Sequence, residues 1–382
     1  MTMITTTAAL AAFCDAHRQT EFVTVDTEFM RERTYWPKLC LIQLGGPEET
    51  VAVDPLAEGI DLSPLFELLQ NASVLKVFHA ARQDIEIFYN LTGKVPTPMF
   101  DTQVAAMVCG FGEAASYETL AGQLANAKID KSSRFTDWAS RPLTDKQIDY
   151  ALADVSHLRV VYAKLHERLQ KSGRESWVSE EMADLTSVDT YHIEPSEVWK
   201  RFKWRADKPK LRALLKELAA WRELEAQRIN VPRGRVMRDE SVMEIAYHPP
   251  ESARDLARIR GLGQGFADSR QGKEVLEAVQ RALAIPLDKC PVGEPKRTTP
   301  QGSGAVIDLL KVLLRHVADE NDVAAKLIAT TDDLEKIATD DQADTAALRG
   351  WRYDLFGQQA LLLKSGKLSM GLNKKKLSIT KL

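Results

Sequence analysis

E-F-V-T-V-D-T-E-F, residues 21–29, is an apolar run interrupted by two carboxylates, Asp26 and Glu28. Its valines, threonines and phenylalanines favour a strand, and alternation along a strand turns Asp26 and Glu28 to one face. Like charges held side by side repel, and burying them unpaired is costly. Two readings follow. In one, the acids end a strand and are solvated. In the other, a divalent cation sits between them and further acids arrive from elsewhere in the chain.

Working outward, residues 1–175 alternate helix and strand signals. The pattern predicts a helix at about 4–17, then strands at 21–28, 37–46 and 49–55, the last two ended by glycines and a proline. A helix follows at 62–69, with Ser63 as a cap and Pro64 in the first turn. Next come a buried strand at 73–80, a helix at 81–91 and a short strand at 96–102. A long helix begins after Pro142, with Thr144 as N-cap and Gln147 three residues on as in a capping box. Three tightly connected strands, then strand–helix–strand, predict a mixed α/β sheet that opens with an antiparallel meander.

From about residue 195 only helical periodicity remains, with Leu211, Leu214, Leu215, Leu218 and Trp221 on one face. The predicted division is an α/β domain at 1–175, a connector at 176–207 and a helical domain at 208–286. A Pro/Gly-rich linker at 287–305, a second helical domain at 306–370 and a basic tail at 371–382 complete it.

The 382 residues carry a formal charge of −3, unevenly spread. From Lys200 to Pro286 there are 19 Lys/Arg against 12 Asp/Glu, a local +7 that leaves −10 for the remainder. Such asymmetry suits one part that meets a polyanion and another that gathers acids. Cys14, Cys40, Cys109 and Cys290 form no C-x-x-C pair, which points to a reduced cytoplasmic protein without structural zinc. No apolar run approaches the roughly 20 residues that span a bilayer. The expectation is therefore a chain with no membrane partner.

Three further side chains stand out: Asp84 in F-H-A-A-R-Q-D, and Tyr150 and Asp154 at i and i+4 of Y-A-L-A-D. A D-x-E strand, an Asp after F-H-A and a Y-x-x-x-D helix, in that order, resemble the three exonuclease motifs of the DEDD superfamily in its tyrosine-bearing subclass. The flanks D-T-E-F-x-R-x-x-T-Y-x-P-x-L-x-L-I-Q (26–43), T-D-W-x-x-R-P-L-T (136–144) and Y-A-x-x-D (150–154) sharpen the resemblance to the ribonuclease D family. W-R-E-L-E-A and I-R-G-L-G make residues 208–284 similar to an HRDC helical module, and 306–370 similar to a second, degenerate copy.

The resemblance implies a ribonuclease H-like mixed-sheet exonuclease domain followed by one or two all-α HRDC-like domains. It implies a metal-dependent 3′→5′ exoribonuclease that releases nucleoside 5′-monophosphates from RNA 3′ ends, as in maturation of tRNA precursors and other small structured RNAs. A 3′→5′ exonuclease on single-stranded DNA and a non-catalytic nucleic-acid scaffold are the alternatives. The cofactors implied are two divalent cations, Mg²⁺ or Mn²⁺, and the protein is expected to be a monomer.

The chemistry suits these residues. Phosphodiester hydrolysis gathers negative charge on the phosphate, the attacking oxygen and the leaving oxygen, and two cations about 4 Å apart stabilise both oxygens. Hard cations take oxygen ligands, and the sequence offers no His/Cys cluster. By resemblance, Asp26 bridges both ions, Glu28 and Asp154 complete the site of the attacking water, and Asp84 supports the second ion. Tyr150, with an ordinary pKa of about 10, is a poor base at neutral pH. It is therefore expected to aim the water by a hydrogen bond.

For substrate, the basic and aromatic segment after the acid pair suits a single strand, through Phe29, Arg31 and Arg33. Lys131 matches a position that contacts the terminal nucleotide in relatives, and Arg134 could assist. Lys208, Lys210, Arg212, Arg258 and Arg260 are candidate phosphate contacts in the helical half. His79 is expected to be a satisfied strand-end residue, and Asp101 structural.

Overall fold

The computed structural model of the chain describes residues 2–130, 136–203, 208–293, 302–374 and 376–382. A six-stranded mixed sheet is built from β1 (Thr2–Ile4), β2 (Phe22–Met30), β3 (Lys38–Gly45), β4 (Thr50–Val53), β5 (Leu75–Phe78) and β6 (Met99–Asp101), in the order β1-β4-β3-β2-β5-β6. Strands β2, β3 and β4 form the expected antiparallel meander, and β5 and β6 run parallel to β2. The acid-bearing strand is thus interior, paired on both sides.

Helices α1 (Thr7–Ala16), α2 (Ser63–Gln70), α3 (Arg82–Thr92), α4 (Thr102–Val108), α5 (Tyr117–Leu124), α6 (Asp145–Ser172) and α7 (Glu175–Thr186) cover the sheet. The start of α6 is as the sequence predicts. Thr144 Oγ1 accepts from the Gln147 N–H at 3.3 Å, while Gln147 Oε1 accepts from the Thr144 N–H at 3.0 Å. Two local expectations are corrected. The helix expected from residue 4 begins at Thr7, because Met3 and Ile4 pair with β4 and bury Ile4 at the sheet edge. At α2 the capping acceptor is Asp61, which takes the Ser63 N–H at 2.9 Å and its hydroxyl at 2.7 Å.

The second half contains α8 (Pro209–Ile229), α9 (Arg233–Val236), α10 (Asp239–Tyr247), α11 (Ala253–Leu256), α12 (Gln264–Ala267) and α13 (Arg270–Ala284). These bury their own core, in which Leu211, Leu214, Leu215 and Leu218 meet Val242, Ile245, Val275 and Val279. The predicted stripe is the buried one, except that Trp221 is only partly covered and donates its Nε1–H to Glu274 at 2.9 Å.

Residues 294–301 of the expected linker lie outside the described residues, and beyond them come α14 (Ser303–Asn321), which begins within the expected linker bounds, α15 (Ala325–Ile328), α16 (Thr331–Thr339), α17 (Gly350–Arg352) and α18 (Gln358–Lys364). Among its described residues this segment buries no core of its own. Leu310, Leu313, Val317, Ile337 and Phe356 belong to the same apolar cluster as the sheet and its helices. Trp351 stacks on Trp177 of α7 at 4.3 Å and 9°, and the Ala324 N–H donates to the Met107 carbonyl of α4 at 2.9 Å. The basic tail is also corrected: β7 (Leu368–Asn373) and β8 (Lys376–Lys381) form an antiparallel hairpin, with Met370 and Ile379 against the main core. Alternation puts Met370 and Ile379 on one face, while Lys374 and Lys376, where the two strands meet, are exposed. Among the described residues no helix is long and apolar enough to cross a membrane, and all four cysteines are free.

Candidate active site

The site forms where β2 passes beneath α6. The Thr24 hydroxyl donates to the Val155 carbonyl at 2.8 Å, fastening the helix to the strand two residues before Asp26 and one after Asp154. Close approach depends on Gly45 of β3: a Cβ there would lie 2.3 Å from Thr24 Oγ1 and 3.2 Å from the Val155 carbonyl. From the other flank, the Tyr117 hydroxyl donates to the carbonyls of Asp154 at 2.6 Å and Ala153 at 3.0 Å. The sequence reading missed Tyr117, which lies between the motifs and carries no spacing signal.

These contacts bring Asp26, Glu28 and Asp154 together. Each offers one carboxylate oxygen, and the three oxygens lie within 4.8 Å of one another. Burial pushes the Asp26 carboxyl up to about 6. Burial, then the charge of Asp26, pushes Asp154 up to about 8. Crowded acids that resist ionisation in isolation are what a hard cation would relieve.

A second observation fits a cation here. Gln43 of β3 lies directly across the strand pair from Asp26 and is fully buried. Neither of its amide atoms has a hydrogen-bond partner among the described residues. A buried orphan amide costs roughly 1–3 kcal/mol, a cost that makes sense beside a site meant to hold an ion and its water.

Asp84 stands apart from that trio. It sits in the first turn of α3, buried, and accepts a hydrogen bond from the Thr27 hydroxyl between the two β2 acids. Burial first, and the Asp26 charge second, raise its carboxyl well above the ordinary range, while the Thr27 bond lowers it. The turn that delivers Asp84 is unusual, because Ala80 adopts a left-handed φ of 56°. Asp101 holds that turn by accepting from the N–H groups of Ala80 at 3.0 Å and Ala81 at 2.8 Å, while also capping α4 through Gln103 at 2.7 Å. Its structural reading is correct. His79 bonds Thr102 Oγ1 at 3.0 Å, as a satisfied strand-end residue should, yet its ring also lines the cavity beside Asp26.

That cavity, about 340 Å³, is also lined by Tyr150, Asp154 and Tyr117. The Tyr150 ring lies 6.1 Å from that of buried Trp138, which explains the T-D-W motif as a support for the tyrosine. Arg141 of the same motif clamps the segment, with Nε and Nη2 at 2.7 Å from the two Asp54 oxygens and Nη2 at 2.6 Å from the Cys40 carbonyl. A second cavity of about 770 Å³ opens beside Glu28, lined by Phe29, Arg33, Lys38 and Trp138.

The remaining candidates separate. Phe29 follows a β-bulge after Glu28 and faces the larger cavity. Arg31 pairs with Glu86 at 3.3 Å, so Arg33 is the arginine of this segment that reaches the cavity. Lys131 and Arg134 lie outside the described residues. Lys208, Arg258 and Arg260 are exposed, with Arg258 3.8 Å from Asp255. Lys210 instead donates to the Leu283 carbonyl at 2.6 Å and to the Ile285 carbonyl, and Arg212 donates to the Pro291 carbonyl at 2.5 Å. Both serve as ties to the end of α13 and the chain beyond it, because cations there satisfy the last carbonyls of a helix.

Comparison with known proteins agrees with this geometry. A family model described as 3′-5′ exonuclease matches residues 1–170, and one described as HRDC domain matches 212–279. The chain is 52% identical over 374 residues to ribonuclease D of Nitrobacter hamburgensis, covering 98% of both chains. To ribonuclease D of Granulibacter bethesdensis it is 48% identical, covering 99% of this chain and 96% of that one. The crystal structure of Escherichia coli RNase D, described as an exoribonuclease involved in structured RNA processing, superimposes with a TM-score of 0.82 at 30% identity, over 96% of this chain and 98% of that one. With full-length likeness of this degree and the acid trio formed by the same motifs, the chain belongs to the ribonuclease D family.

Proposed function

We propose that the chain is a metal-dependent 3′→5′ exoribonuclease that removes nucleoside 5′-monophosphates from RNA 3′ ends. The observation that carries this reading is the convergence of Asp26, Glu28 and Asp154, with Tyr150 facing the same cavity. In the proposed roles Asp26, Glu28 and Asp154 would hold one divalent cation, and Asp84 would help to hold a second. Mg²⁺ and Mn²⁺ both suit this all-oxygen donor set. When bound, the cations supply acidity to the attacking water and offset charge on the phosphate and the leaving 3′ oxygen.

The residues of the chain do the rest. The Tyr150 hydroxyl, braced by Trp138, orients the attacking water through a hydrogen bond. Thr27 keeps Asp84 aimed, and Tyr117 keeps the α6 backbone at Asp154 in place. The bulge after Glu28 presents Phe29 to the terminal bases, and Arg33 meets a phosphate at the same mouth. Residues 1–175 are the proposed nuclease unit and 208–286 the proposed RNA-engaging helical unit, while 302–382 extends the nuclease core. The Escherichia coli relative is described as acting in structured RNA processing, and small structured RNAs, with tRNA precursors among them by the family resemblance, are the proposed substrates.

The test uses 5′-labelled RNA and DNA of equal sequence, with Mg²⁺, with Mn²⁺ and with chelator. A ladder of shortening RNA that chelator and Asp26→Asn both abolish supports the reading. Faster shortening of DNA, or no cleavage of either strand, overturns it.

A further inference from the structure

The loop between β2 and β3, R-E-R-T-Y-W-P at 31–37, is gripped by the helical half of the molecule. Asn230 Oδ1, at the end of α8, accepts from the N–H groups of Tyr35 at 3.1 Å and Trp36 at 3.0 Å. The Tyr35 hydroxyl donates to the Glu223 carboxylate and accepts from Gln227 Nε2 at 3.1 Å. Glu223 is fully buried, and Arg233 stands 3.4 Å from its Oε2 with its guanidinium 6.0 Å from the Tyr35 ring centroid.

A buried carboxylate needs partners, and this one draws them from both halves: Tyr35 from the nuclease side, Arg233 from its own. Asn230 holds a left-handed φ of 51°, which turns the chain at the helix end and leaves its amide free to receive the loop. Burial and Glu223 push the Tyr35 hydroxyl up to about 12, so it remains a donor across the physiological range.

Beside the gripped residues lies Arg33. Arg31 is tied to Glu86, whereas Arg33 is exposed, has no acidic partner among the described residues, and lines the cavity that Glu28 and Phe29 share. It lies two residues from Tyr35. We propose that the end of α8 is a positioning element for the nuclease: Asn230 and Glu223 fix the loop through Tyr35 and Trp36 so that Arg33 meets the substrate phosphate beside Glu28. The helical unit would then act on the reaction through the conformation of a nuclease loop, in addition to any contact it makes with RNA. This rests on the exoribonuclease reading above.

Asn230→Gly is the informative variant, because glycine keeps the left-handed backbone and removes only the acceptor. With short single-stranded RNA it should raise KM on the order of five-fold and leave kcat within about two-fold, the pattern of lost ground-state binding. Tyr35→Phe should do the same. Combined with Arg33→Ala, Asn230→Gly should add little to the KM of Arg33→Ala alone, because both act through one contact. Unchanged KM in Asn230→Gly, or effects that add in full, would overturn the proposal, and a shifted Tm with unchanged KM would show a purely structural tie. RNA affinity read by anisotropy in an Asp26→Asn background gives the same comparison without turnover, so an inactive parent enzyme would sink the nuclease reading and leave this one decided by binding.

Discussion

The Thr27 hydroxyl donates to Oδ1 of Asp84, so the middle residue of D-T-E holds the one acid that the trio leaves out. The bond crosses from β2 to α3 between two buried side chains, and it works against the burial that pushes the Asp84 carboxyl up. Thr27→Val keeps the shape and suits a strand, but removes the donor. Turnover should fall about 10- to 100-fold, as for other groups that orient a metal ligand, and saturation should need more Mg²⁺. A titration of rate against Mg²⁺ checks this, and a wild-type curve would refute it.

The opening pair was legible because alternation on a strand is local geometry, and the capping box at Thr144 was legible for the same reason. The supports were not. Tyr117 bonds the α6 backbone far along the chain and lies outside every motif, while Gln43 and Ala80 fall inside motifs whose letters do not show that one faces Asp26 across the strand pair and the other is held by Asp101. The same limit hides that Lys210 and Arg212, the candidate phosphate contacts, bond the carbonyls of Leu283 and Pro291 far along the chain. The hairpin was hidden because Lys374 and Lys376 lie where its two strands meet and read as part of a charged tail, although the strands on either side alternate.

Gln43 offers a trade between stability and function. Its buried amide has no partner among the described residues, so Gln43→Leu removes a polar group that the fold does not satisfy. The variant should gain roughly 1 kcal/mol and melt a few degrees higher. If the amide serves the Asp26 side of the site, cation affinity should fall at the same time. Calorimetric titration with Mn²⁺ and a thermal melt, on one preparation, read both. A variant that melts higher and binds Mn²⁺ as before would remove Gln43 from the site.

The raised carboxyls make the stability of the cation-free protein depend on pH. Asp26 and Asp154 shift from 3.8 to about 6 and about 8, so between those limits the folded chain binds more protons than the unfolded one. Stability then falls as pH rises. The contribution is whole below about pH 4, is lost as pH passes 6 and then 8, and changes no further above that. Thermal melts in chelator should show a Tm that declines from pH 5 to pH 8. Saturating Mg²⁺ should flatten the profile, because a bound cation offsets the ionised pair. A Tm in chelator that climbs over this range would contradict the crowding of Asp26 and Asp154.

Tyr150 faces the cavity beside Asp154 and rests near Trp138. Tyr150→Phe keeps that packing and removes only the hydroxyl. An aiming role predicts a fall in kcat of about 100-fold, with Mn²⁺ affinity and RNA KM close to wild type. Trp138→Phe should lower kcat less, because it loosens the ring without removing the group. Full activity in Tyr150→Phe would leave the water to the acids alone.

The last helices are part of the nuclease core, and their removal tests that directly. Trp351 lies flat on Trp177, Arg352 pairs with Glu181, and Leu310, Leu313 and Phe356 fill the cluster that also contains Ile85 and Phe88. Each such side chain is worth roughly 1.5–3 kcal/mol of burial, against a typical total stability of about 5–15 kcal/mol. Deleting residues 302–382 therefore removes more than the nuclease unit can spare, and the shortened chain should lose its cooperative melt. Trp351→Ala, which empties one position, should cost about 3–5 kcal/mol and lower Tm without altering the RNA KM of the protein that remains folded. The core of 208–286 is separate, so destabilising it through Val275→Ala should leave the nuclease melt in place. If the shortened chain melts at the wild-type temperature, residues 302–382 are an appended module and the shared core is only a contact between neighbours.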